Sequence, residues 1–180
     1  MVEYAVDGTT IVAETRSDLF SPKDLDKGSR LLLEAVAKEN YTSLLDWGCG
    51  WGALSLWLAE RRPKAQVIAL DSDMGAVKQT IANAERNRLK NIEVVASPGY
   101  EDIDPALKFN LIVSNPPTHR GREVVESMIT ESAKRLNKGG KLVIVVEARL
   151  KPWVDRALKE NFGRVKTIKR SPKHAVLIGE

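Results

Sequence analysis

The chain has 180 residues and a net charge of +4, with 43% hydrophobic and 29% charged residues. This length and composition indicate one globular domain and exclude a disordered chain. We expect no secretory signal, and there is no apolar run of the ~20 residues that would span a membrane. The single cysteine, Cys49, excludes a disulfide framework and a cysteine-rich metal site. A cytoplasmic protein with neither a membrane nor a metal partner is therefore expected.

The first 40 residues predict two small elements. Residues 4–15 form a predicted hairpin whose turn is Asp7-Gly8, a dipeptide that favours tight turns between antiparallel strands. Residues 26–38 predict a helix with apolar residues at helical spacing. We expect one domain over residues 1–180, with these elements in 1–40 and the core in 41–180.

From residue 43 onward, short apolar strands alternate with amphipathic helices. The predicted strands comprise residues 43–46, 67–70, 91–96, 109–114, 141–146, 164–169 and 175–178. This alternation predicts an α/β fold with a seven-stranded, mostly parallel sheet covered on both faces. The last two strands are too close together for a crossover helix, so they predict an antiparallel hairpin at one edge.

Two details of the helices can be predicted from their sequence. In the helix after the second sheet strand, Met74, Val77, Ile81 and Ala84 share the face that we expect to be buried. Gly139-Gly140 is expected to end the helix before the fifth sheet strand.

A glycine-rich loop, Asp46-x-Gly48-x-Gly50-x-Gly52, follows the first sheet strand. Glycines let the backbone turn tightly and approach a ligand closely, and ligands bind at the carboxyl ends of strands in such sheets. Asp71, at the end of the next strand, is placed to accept both hydroxyl hydrogens of a ribose. The loop and Asp71 together predict a nucleotide cofactor.

Two cofactors fit this pattern. Gly48-x-Gly50-x-x-Ala53 also satisfies the dinucleotide fingerprint, which keeps NAD as an alternative. Asp46 favours S-adenosylmethionine, because a carboxylate there repels a pyrophosphate but attracts the ammonium group of the methionine portion.

The tripeptide Asn115-Pro116-Pro117 directly follows the fourth sheet strand. Two prolines fix the backbone and remove two N–H donors, which leaves the Asn115 side-chain oxygen and nearby carbonyls as acceptors. Such a site would hold an exocyclic amine by its hydrogens and favour positive charge developing on that nitrogen during methylation. No strong general base is needed, because the amine becomes acidic as it is alkylated, and alignment supplies much of the rate.

The chain resembles the small-domain class I methyltransferases that methylate the exocyclic N2 of guanine in ribosomal RNA. The resemblance covers nearly the whole chain and implies a Rossmann-like class I methyltransferase fold with S-adenosylmethionine as donor. We call residues 19–33 the pre-sheet segment. The stretches that carry the resemblance are Leu19-Phe20-Ser21 with Leu25-Asp26-x-Gly28-Ser29-x-Leu31-Leu32-Leu33, Asp46-x-Gly48-Cys49-Gly50-x-Gly52, and Asn115-Pro116-Pro117-x-His119-x-Gly121.

The same resemblance implies three sets of site residues. The catalytic residues that orient the amine would be Asn115, Pro116 and Pro117. The substrate would meet Phe20, Ser29, Thr118, His119 and Arg120. The cofactor would be held by Asp46, Gly48, Cys49, Gly50, Gly52, Asp71, Ser72, Met74, Ser97 and Asn115.

One position departs from the family pattern. Many relatives have an aromatic residue after the two prolines, where this chain has Thr118. Stacking on the target base is therefore expected from another residue, Phe20.

The end of the chain is strongly basic. Residues 151–174 contain eight Lys or Arg and two acids, a net charge of +6, which we expect to bind an RNA backbone. We therefore predict methylation of guanine N2 in ribosomal RNA or a ribosomal subunit. The sequence leaves open a methyltransferase for protein glutamine or DNA adenine, an NAD-dependent oxidoreductase, and a non-catalytic RNA-binding module.

Overall fold

The structure, a computed structural model, describes residues 1–180 except for the side chain of His119. It begins with a two-stranded antiparallel sheet of β1 (Val2–Val6) and β2 (Thr9–Ala13). Asp7 and Gly8 in the turn have φ angles of 44° and 78°, the positive values that a two-residue hairpin turn of this kind requires. The predicted N-terminal hairpin is confirmed.

Twelve further helices and strands follow in the described chain, together with short 3₁₀ turns at Thr118–Arg120 and Ala148–Leu150. They are α1 (Lys27–Val36), β3 (Ser43–Trp47), α2 (Ala53–Arg61), β4 (Gln66–Asp71), α3 (Met74–Arg86), β5 (Ile92–Ala96), β6 (Phe109–Ser114), α4 (Arg122–Arg135), β7 (Leu136–Glu147), α5 (Lys151–Asn161), β8 (Val165–Arg170) and β9 (His174–Gly179).

The main sheet has seven strands in the order β5-β4-β3-β6-β7-β9-β8. The first five strands of this order are mutually parallel, and β9 pairs antiparallel with β7 on one side and with β8 on the other. The predicted sheet and its antiparallel pair are confirmed. The ends of β3, β4, β5, β6 and β7 thus lie along one margin, which we call the carboxyl edge. The β8–β9 turn lies at the same edge, because His174 pairs with Glu147 at the end of β7.

The sheet is covered by a layer on each face. The N-terminal hairpin, α1, α2 and α3 form one layer, in which Leu32 and Trp57 are fully buried. The other layer contains α4 and α5, with Ile129 and Leu158 fully buried. Trp57 Nε1 also donates to the Val6 carbonyl at 3.1 Å, so the hairpin shares the core of the larger sheet.

The buried face of α3 differs from the prediction. Met74 and Ile81 are 53% and 41% exposed, whereas two polar residues, Thr80 and Asn83, are fully buried. The reason is hydrogen bonding: both polar side chains bond backbone carbonyls of neighbouring segments, which removes the cost of burying them. Val77 and Ala84 are buried as predicted, at 4% and 6% exposure, so the apolar spacing identified part of the buried face and missed its polar members.

The boundary between α4 and β7 was also predicted wrongly. The helix ends at Arg135 and the strand begins immediately at Leu136, so Gly139-Gly140 lies inside β7. The pairing with β6 shifts here from Phe109–Leu136 to Leu111–Lys141, and Gly139 has a φ of 77°. The glycine pair therefore forms a bulge in the strand instead of a helix stop.

Candidate active site

The glycine loop connects β3 to α2 at the carboxyl edge and is tied to the end of β4. The amides of Gly48 and Cys49 both donate to the Leu70 carbonyl at 2.9 Å. The Gly50 amide donates to Asp71 Oδ2 at 2.9 Å. The loop and Asp71, which the sequence paired only by spacing, are thus joined directly.

The glycines of this loop have different tasks. Gly48 and Gly50 have φ angles of 78° and 58°, and a Cβ added to either would meet no described atom within 4 Å. Their backbone therefore faces open space. A Cβ on Gly52 would lie 3.0 Å from Leu56 and 3.1 Å from Thr80, so Gly52 faces the protein interior and allows the chain to enter α2.

Two predicted cofactor residues have inward-facing side chains. Cys49 is 6% exposed and its Sγ lies 3.7 Å from Thr80 Oγ1. Burial, followed by the negative charges of Asp46 and Asp71, raises the pKa of the Cys49 thiol, so this side chain is neutral. Ser97 is 3% exposed and its hydroxyl accepts a bond from the Asp102 amide. Both side chains are therefore turned away from solvent in this structure.

Asp46 lies fully buried beneath the glycine loop. Its Oδ2 accepts from the Ser55 amide at 3.0 Å, and its Oδ1 has no partner among the described groups. Burial raises the pKa of this carboxyl to about 7, against hydrogen bonding from Ser55, and nearby Asp71 adds to the rise. A buried carboxylate with an unpaired oxygen is stabilised by a cation, and the sequence predicts an ammonium group beside Asp46.

The ends of β4 and β6 are bridged by two predicted site residues. Arg120 Nη1 donates to Ser72 Oγ at 3.0 Å. Asp71 is partly exposed, and its two oxygens accept from the Gly50 and Asp73 amides, which fixes the orientation of the carboxylate. Met74 stands exposed at the start of α3, next along the same edge.

Asn115 lies beside the glycine loop. Residue Val113 of β6 pairs with Asp46 of β3, and Ser114 Oγ donates to the Trp47 carbonyl at 2.8 Å. These contacts place Asn115, the residue after β6, alongside the start of the glycine loop, which follows β3 at Gly48. Asn115 Nδ2 donates to both Asp26 Oδ2 and Ser29 Oγ at 3.0 Å.

The residues after Asn115 form a tight turn. Pro116 is buried and Pro117 is partly buried, and the Thr118 amide donates to the Pro116 carbonyl at 2.8 Å. Ser29, predicted to meet the substrate, is itself 4% exposed and contacts the Asn115 amide. The side chain of His119, another predicted substrate contact, lies outside the described residues.

The backbone at Phe20 is held by a hydrogen bond from Trp51 that sequence reasoning missed. Trp51 Nε1, in the glycine loop, donates to the Phe20 carbonyl at 3.0 Å, and Trp51 itself is only 2% exposed. The Phe20 side chain is 63% exposed. Trp51 thus fixes the backbone at Phe20 while the Phe20 side chain stays in solvent.

The missed residues have side chains that bond across long sequence separations. Asp26 contacts Asn115, Trp51 contacts Phe20, and Thr80 Oγ1 bonds the Gly50 carbonyl at 2.8 Å. No local pattern marks such contacts, although Asp26 does lie in a recognisable helix-capping position.

The loop meets the requirements of a nucleotide cofactor that carries a cationic amino acid. Gly48 and Gly50 offer an open backbone cradle, Asp46 offers an unpaired carboxylate oxygen, and Asp71 offers a fixed carboxylate for ribose hydroxyls. Within the described part of the chain, no group of three His, Cys, Asp or Glu is arranged to hold a metal ion. The described helices include none that is both long and apolar enough to cross a membrane.

Comparison with known proteins identifies the family. The model of the methyltransferase small domain family matches residues 10–178, almost the whole chain. This chain belongs to the methyltransferase small domain family. A methyltransferase family favours S-adenosylmethionine over NAD, the two cofactors that the glycine pattern allowed.

Several members and structural neighbours of this methyltransferase family are similar to the chain. An uncharacterized protein of Bacillus subtilis is 31% identical over 163 residues, covering 89% of this chain and 81% of that one. Ribosomal RNA small subunit methyltransferase C of Salmonella choleraesuis is 38% identical over 165 residues, covering 89% of this chain and 46% of that one. The chain thus spans about half the length of the curated ribosomal RNA methyltransferases it matches.

A solved structure agrees with this family assignment. The 16S rRNA N2 G1207 methyltransferase of T. thermophilus, in complex with AdoMet and guanosine, superposes with a TM-score of 0.89 at 30% identity. The match covers 99% of this chain and 49% of that one. A ribosomal protein L11 methylase from Lactobacillus delbrueckii, 21% identical with a TM-score of 0.75, shares the fold.

Proposed function

We propose that this methyltransferase transfers the methyl group of S-adenosylmethionine to the exocyclic N2 amine of a guanine in ribosomal RNA. Residues 1–180 act as one domain in this proposal. The observation that carries it is the position of Asn115-Pro116-Pro117, which begins alongside Gly48 of the open glycine loop. An amine acceptor site and a methyl-donor site on neighbouring strands are what direct transfer requires.

The cofactor side of the site uses the glycine loop and two carboxylates. Gly48 and Gly50 would admit the methionine portion, Asp46 would neutralise its ammonium group, and Asp71 would accept from the ribose hydroxyls. When bound, S-adenosylmethionine supplies an electrophilic methyl group on a sulfonium. Met74, exposed beside Asp71, would pack against the adenine.

The acceptor side uses the oxygen of the Asn115 amide. Both hydrogens of Asn115 Nδ2 are engaged by protein acceptors, and the described groups include no donor to Oδ1. In this proposal that oxygen accepts an N–H from the substrate amine, which favours positive charge on the amine nitrogen. Pro116 and Pro117 keep the backbone rigid and place no competing N–H donors beside the amine.

The choice of RNA is supported by the relatives and by charge at the carboxyl edge. The Salmonella and Thermus proteins named above act on ribosomal RNA by name. The turn between β8 and β9 lies at the same edge as Asn115 and carries two exposed cations, Arg170 and Lys173. Neither has an acidic partner among the described residues, so both are available to phosphates.

Two other cations of the basic segment have acidic partners outside residues 151–174. Lys169 pairs with Glu34 at 2.9 Å, and Arg164 lies 3.6 Å from Glu180. The net charge of residues 151–174 therefore overstates the positive charge that RNA would meet. Within this segment, the β8–β9 turn is the strongest candidate for a contact with RNA.

Phe20 is proposed to stack on the target base. It is the exposed aromatic of the pre-sheet segment, which also supplies the partners of Asn115. A guanine in a folded RNA must leave its stack to reach such a site, and an aromatic face compensates for the lost stacking.

The experiment is nucleoside mass spectrometry after incubation with isotopically labelled S-adenosylmethionine. Unmodified ribosomal RNA and ribosomal subunits are the acceptors, and labelled N2-methylguanosine is the expected product. Asn115→Ala should abolish turnover while the calorimetric Kd for S-adenosylmethionine changes less than about threefold, because the amide acts on the acceptor. Asn40→Ala, an exposed asparagine bonded to Arg62, is the matched control and should keep full activity.

Other outcomes would contradict parts of this proposal. Label in adenine of added DNA or in glutamine of a ribosomal protein would overturn the guanine acceptor while keeping the amine chemistry. Cofactor binding without any transfer would indicate a non-catalytic RNA-binding module. Turnover by Asn115→Ala near the wild-type rate would remove Asn115 from the catalytic site.

A further inference from the structure

The side chain of Asn115 is held by two residues of the pre-sheet segment. Its Nδ2 lies 3.0 Å from Asp26 Oδ2 and 3.0 Å from Ser29 Oγ. Asp26 is 89 positions away in the sequence, so this contact joins the start of α1 to the end of β6.

The chemistry of Asp26 determines which way the Asn115 amide points. An ionised carboxylate is an acceptor only, so the group of Asn115 that faces it must be the NH₂ and not the oxygen. The hydroxyl of Ser29 accepts as readily as it donates and does not choose between the two orientations. Asp26 is therefore the residue that turns Asn115 Oδ1 away from α1.

We propose that Asp26 is a positioning residue for catalysis, which fixes the amide orientation of Asn115 so that Oδ1 faces the substrate amine. This inference rests on the proposed function for its consequence in catalysis. With the amide reversed, an NH₂ group would face the amine, and donor would oppose donor.

Asp26 also caps the helix that positions it. Its Oδ2 accepts from the Ser29 amide at 2.9 Å, so one oxygen serves both the first turn of α1 and Asn115. This cap prevents the carboxylate from rotating away, and it predicts that Asp26 keeps its orientation without substrate.

Gly28 provides an independent sign that space is reserved for this carboxylate. A Cβ at residue 28 would lie 2.9 Å from Asp26 Oδ2 and 3.2 Å from Cδ2 of His174. The φ angle of Gly28 is not positive, so backbone conformation does not explain a glycine in the first turn of a helix. Room for the Asp26 carboxylate, with the His174 ring beside it, explains it.

The test uses Asp26→Ser, which keeps a good helix cap but has a side chain too short to hold Asn115. We expect kcat for ribosomal RNA methylation to fall about 10- to 100-fold, the loss that follows removal of a charge-assisted hydrogen bond. KM for S-adenosylmethionine should change less than about twofold. Asp24→Ser is the matched control: Asp24 is exposed two residues upstream, bonds the Leu25 amide, and should leave kcat unchanged.

A second readout does not depend on the RNA substrate. The Asn115 side-chain amide protons, observed by ¹⁵N NMR, should exchange slowly with solvent in the wild type and at least tenfold faster in Asp26→Ser. Equal exchange in both proteins would overturn the inference. If the wild type methylates no RNA, the proposed function fails, but slow exchange that depends on Asp26 still supports the orientation.

A polarity exchange separates positioning from a merely structural role. Asn115→Asp alone should be inactive, because two carboxylates would face one another. Combining it with Asp26→Asn restores a hydrogen bond, in which the amide at residue 26 donates to the carboxylate at residue 115. The combined variant should be at least tenfold more active than Asn115→Asp alone. Wild-type kcat in Asp26→Ser, or no recovery in the combined variant, would overturn the inference.

Discussion

Replacement of Asp46 by asparagine should stabilise the protein above neutral pH while weakening cofactor binding. Asp46 is fully buried, and one of its oxygens has no hydrogen-bond partner among the described groups. An amide in the same place carries no charge to desolvate. Its NH₂ can also bond the Ser55 hydroxyl, which is buried and unpaired.

The magnitude follows from the pKa of the Asp46 carboxyl, which burial raises from 3.8 to about 7. The folded protein holds the Asp46 proton more tightly than the unfolded chain does. The protonated carboxyl therefore makes its full contribution to the free energy of unfolding below about pH 3.8, and this contribution is lost progressively as the pH rises through about 7. At 1.36 kcal/mol per pH unit, the loss at pH 8 reaches about 4 kcal/mol. Asp46→Asn should therefore be more stable than the wild type by about 1–4 kcal/mol at pH 8, and the difference should vanish near pH 4.

Urea unfolding of the cofactor-free proteins at pH 4, 6 and 8, followed by tryptophan fluorescence, measures this difference. Calorimetry at pH 8 should show at least about a tenfold higher Kd for S-adenosylmethionine in Asp46→Asn, because the ammonium group loses its counter-charge. Asp104→Asn, the same change at an exposed position, should alter neither quantity. An Asp46→Asn stability advantage that does not grow between pH 4 and pH 8 would refute the electrostatic reasoning.

Two further variants, one single and one double, test the substrate side of the site. Trp51→Phe removes the donor to the Phe20 carbonyl; it should lower the free energy of unfolding by about 1 kcal/mol and raise KM for RNA about fivefold, measured by denaturation and steady-state kinetics. Arg170→Ala with Lys173→Ala should reduce the slope of log K against log salt for RNA binding by about 1–2, measured by filter binding between 50 and 200 mM salt.

Each of these changes has a matched control elsewhere in the chain. Trp153→Phe removes an indole donor that bonds Glu126 on the opposite layer, and should leave KM for RNA unchanged. Lys64→Ala with Lys90→Ala removes two exposed charges at the opposite edge of the sheet and should leave the salt slope unchanged. If Trp153→Phe raises KM for RNA as much as Trp51→Phe does, the bond from Trp51 to Phe20 has no specific effect on RNA binding. If the Lys64 and Lys90 variant lowers the salt slope as much as the Arg170 and Lys173 variant does, the β8–β9 turn is not a specific RNA contact.

The sheet could be predicted from the sequence because its strands are nearly continuous apolar runs. Residues Phe109–Ser114 were predicted with their observed bounds, since a buried parallel strand leaves no polar alternation to misread. The bulge at Gly139-Gly140 could not be predicted in the same way. Two glycines after a helix are a common stop signal, and only the pairing shift against β6 shows that they belong to a strand.

The sequence located most residues of the candidate site but did not predict which of them face inward and which face open space. The glycine spacing located the loop, but packing against Leu56 distinguishes Gly52, which faces inward, from Gly48 and Gly50. Burial likewise determines that the Cys49 thiol faces Thr80. Such differences depend on what lies across the fold, and local sequence carries no information about it.

The pre-sheet segment links the two halves of the site. Through Phe20 it bonds Trp51 of the glycine loop, and through Asp26 and Ser29 it holds Asn115. A displacement of this segment would disturb the base-stacking surface and the amine acceptor together, while the bonds between the loop and β4 would remain. Substitutions that displace Phe20, Asp26 or Ser29 should therefore change kcat and KM for RNA before they change cofactor affinity, which is the pattern expected of residues that act on the acceptor.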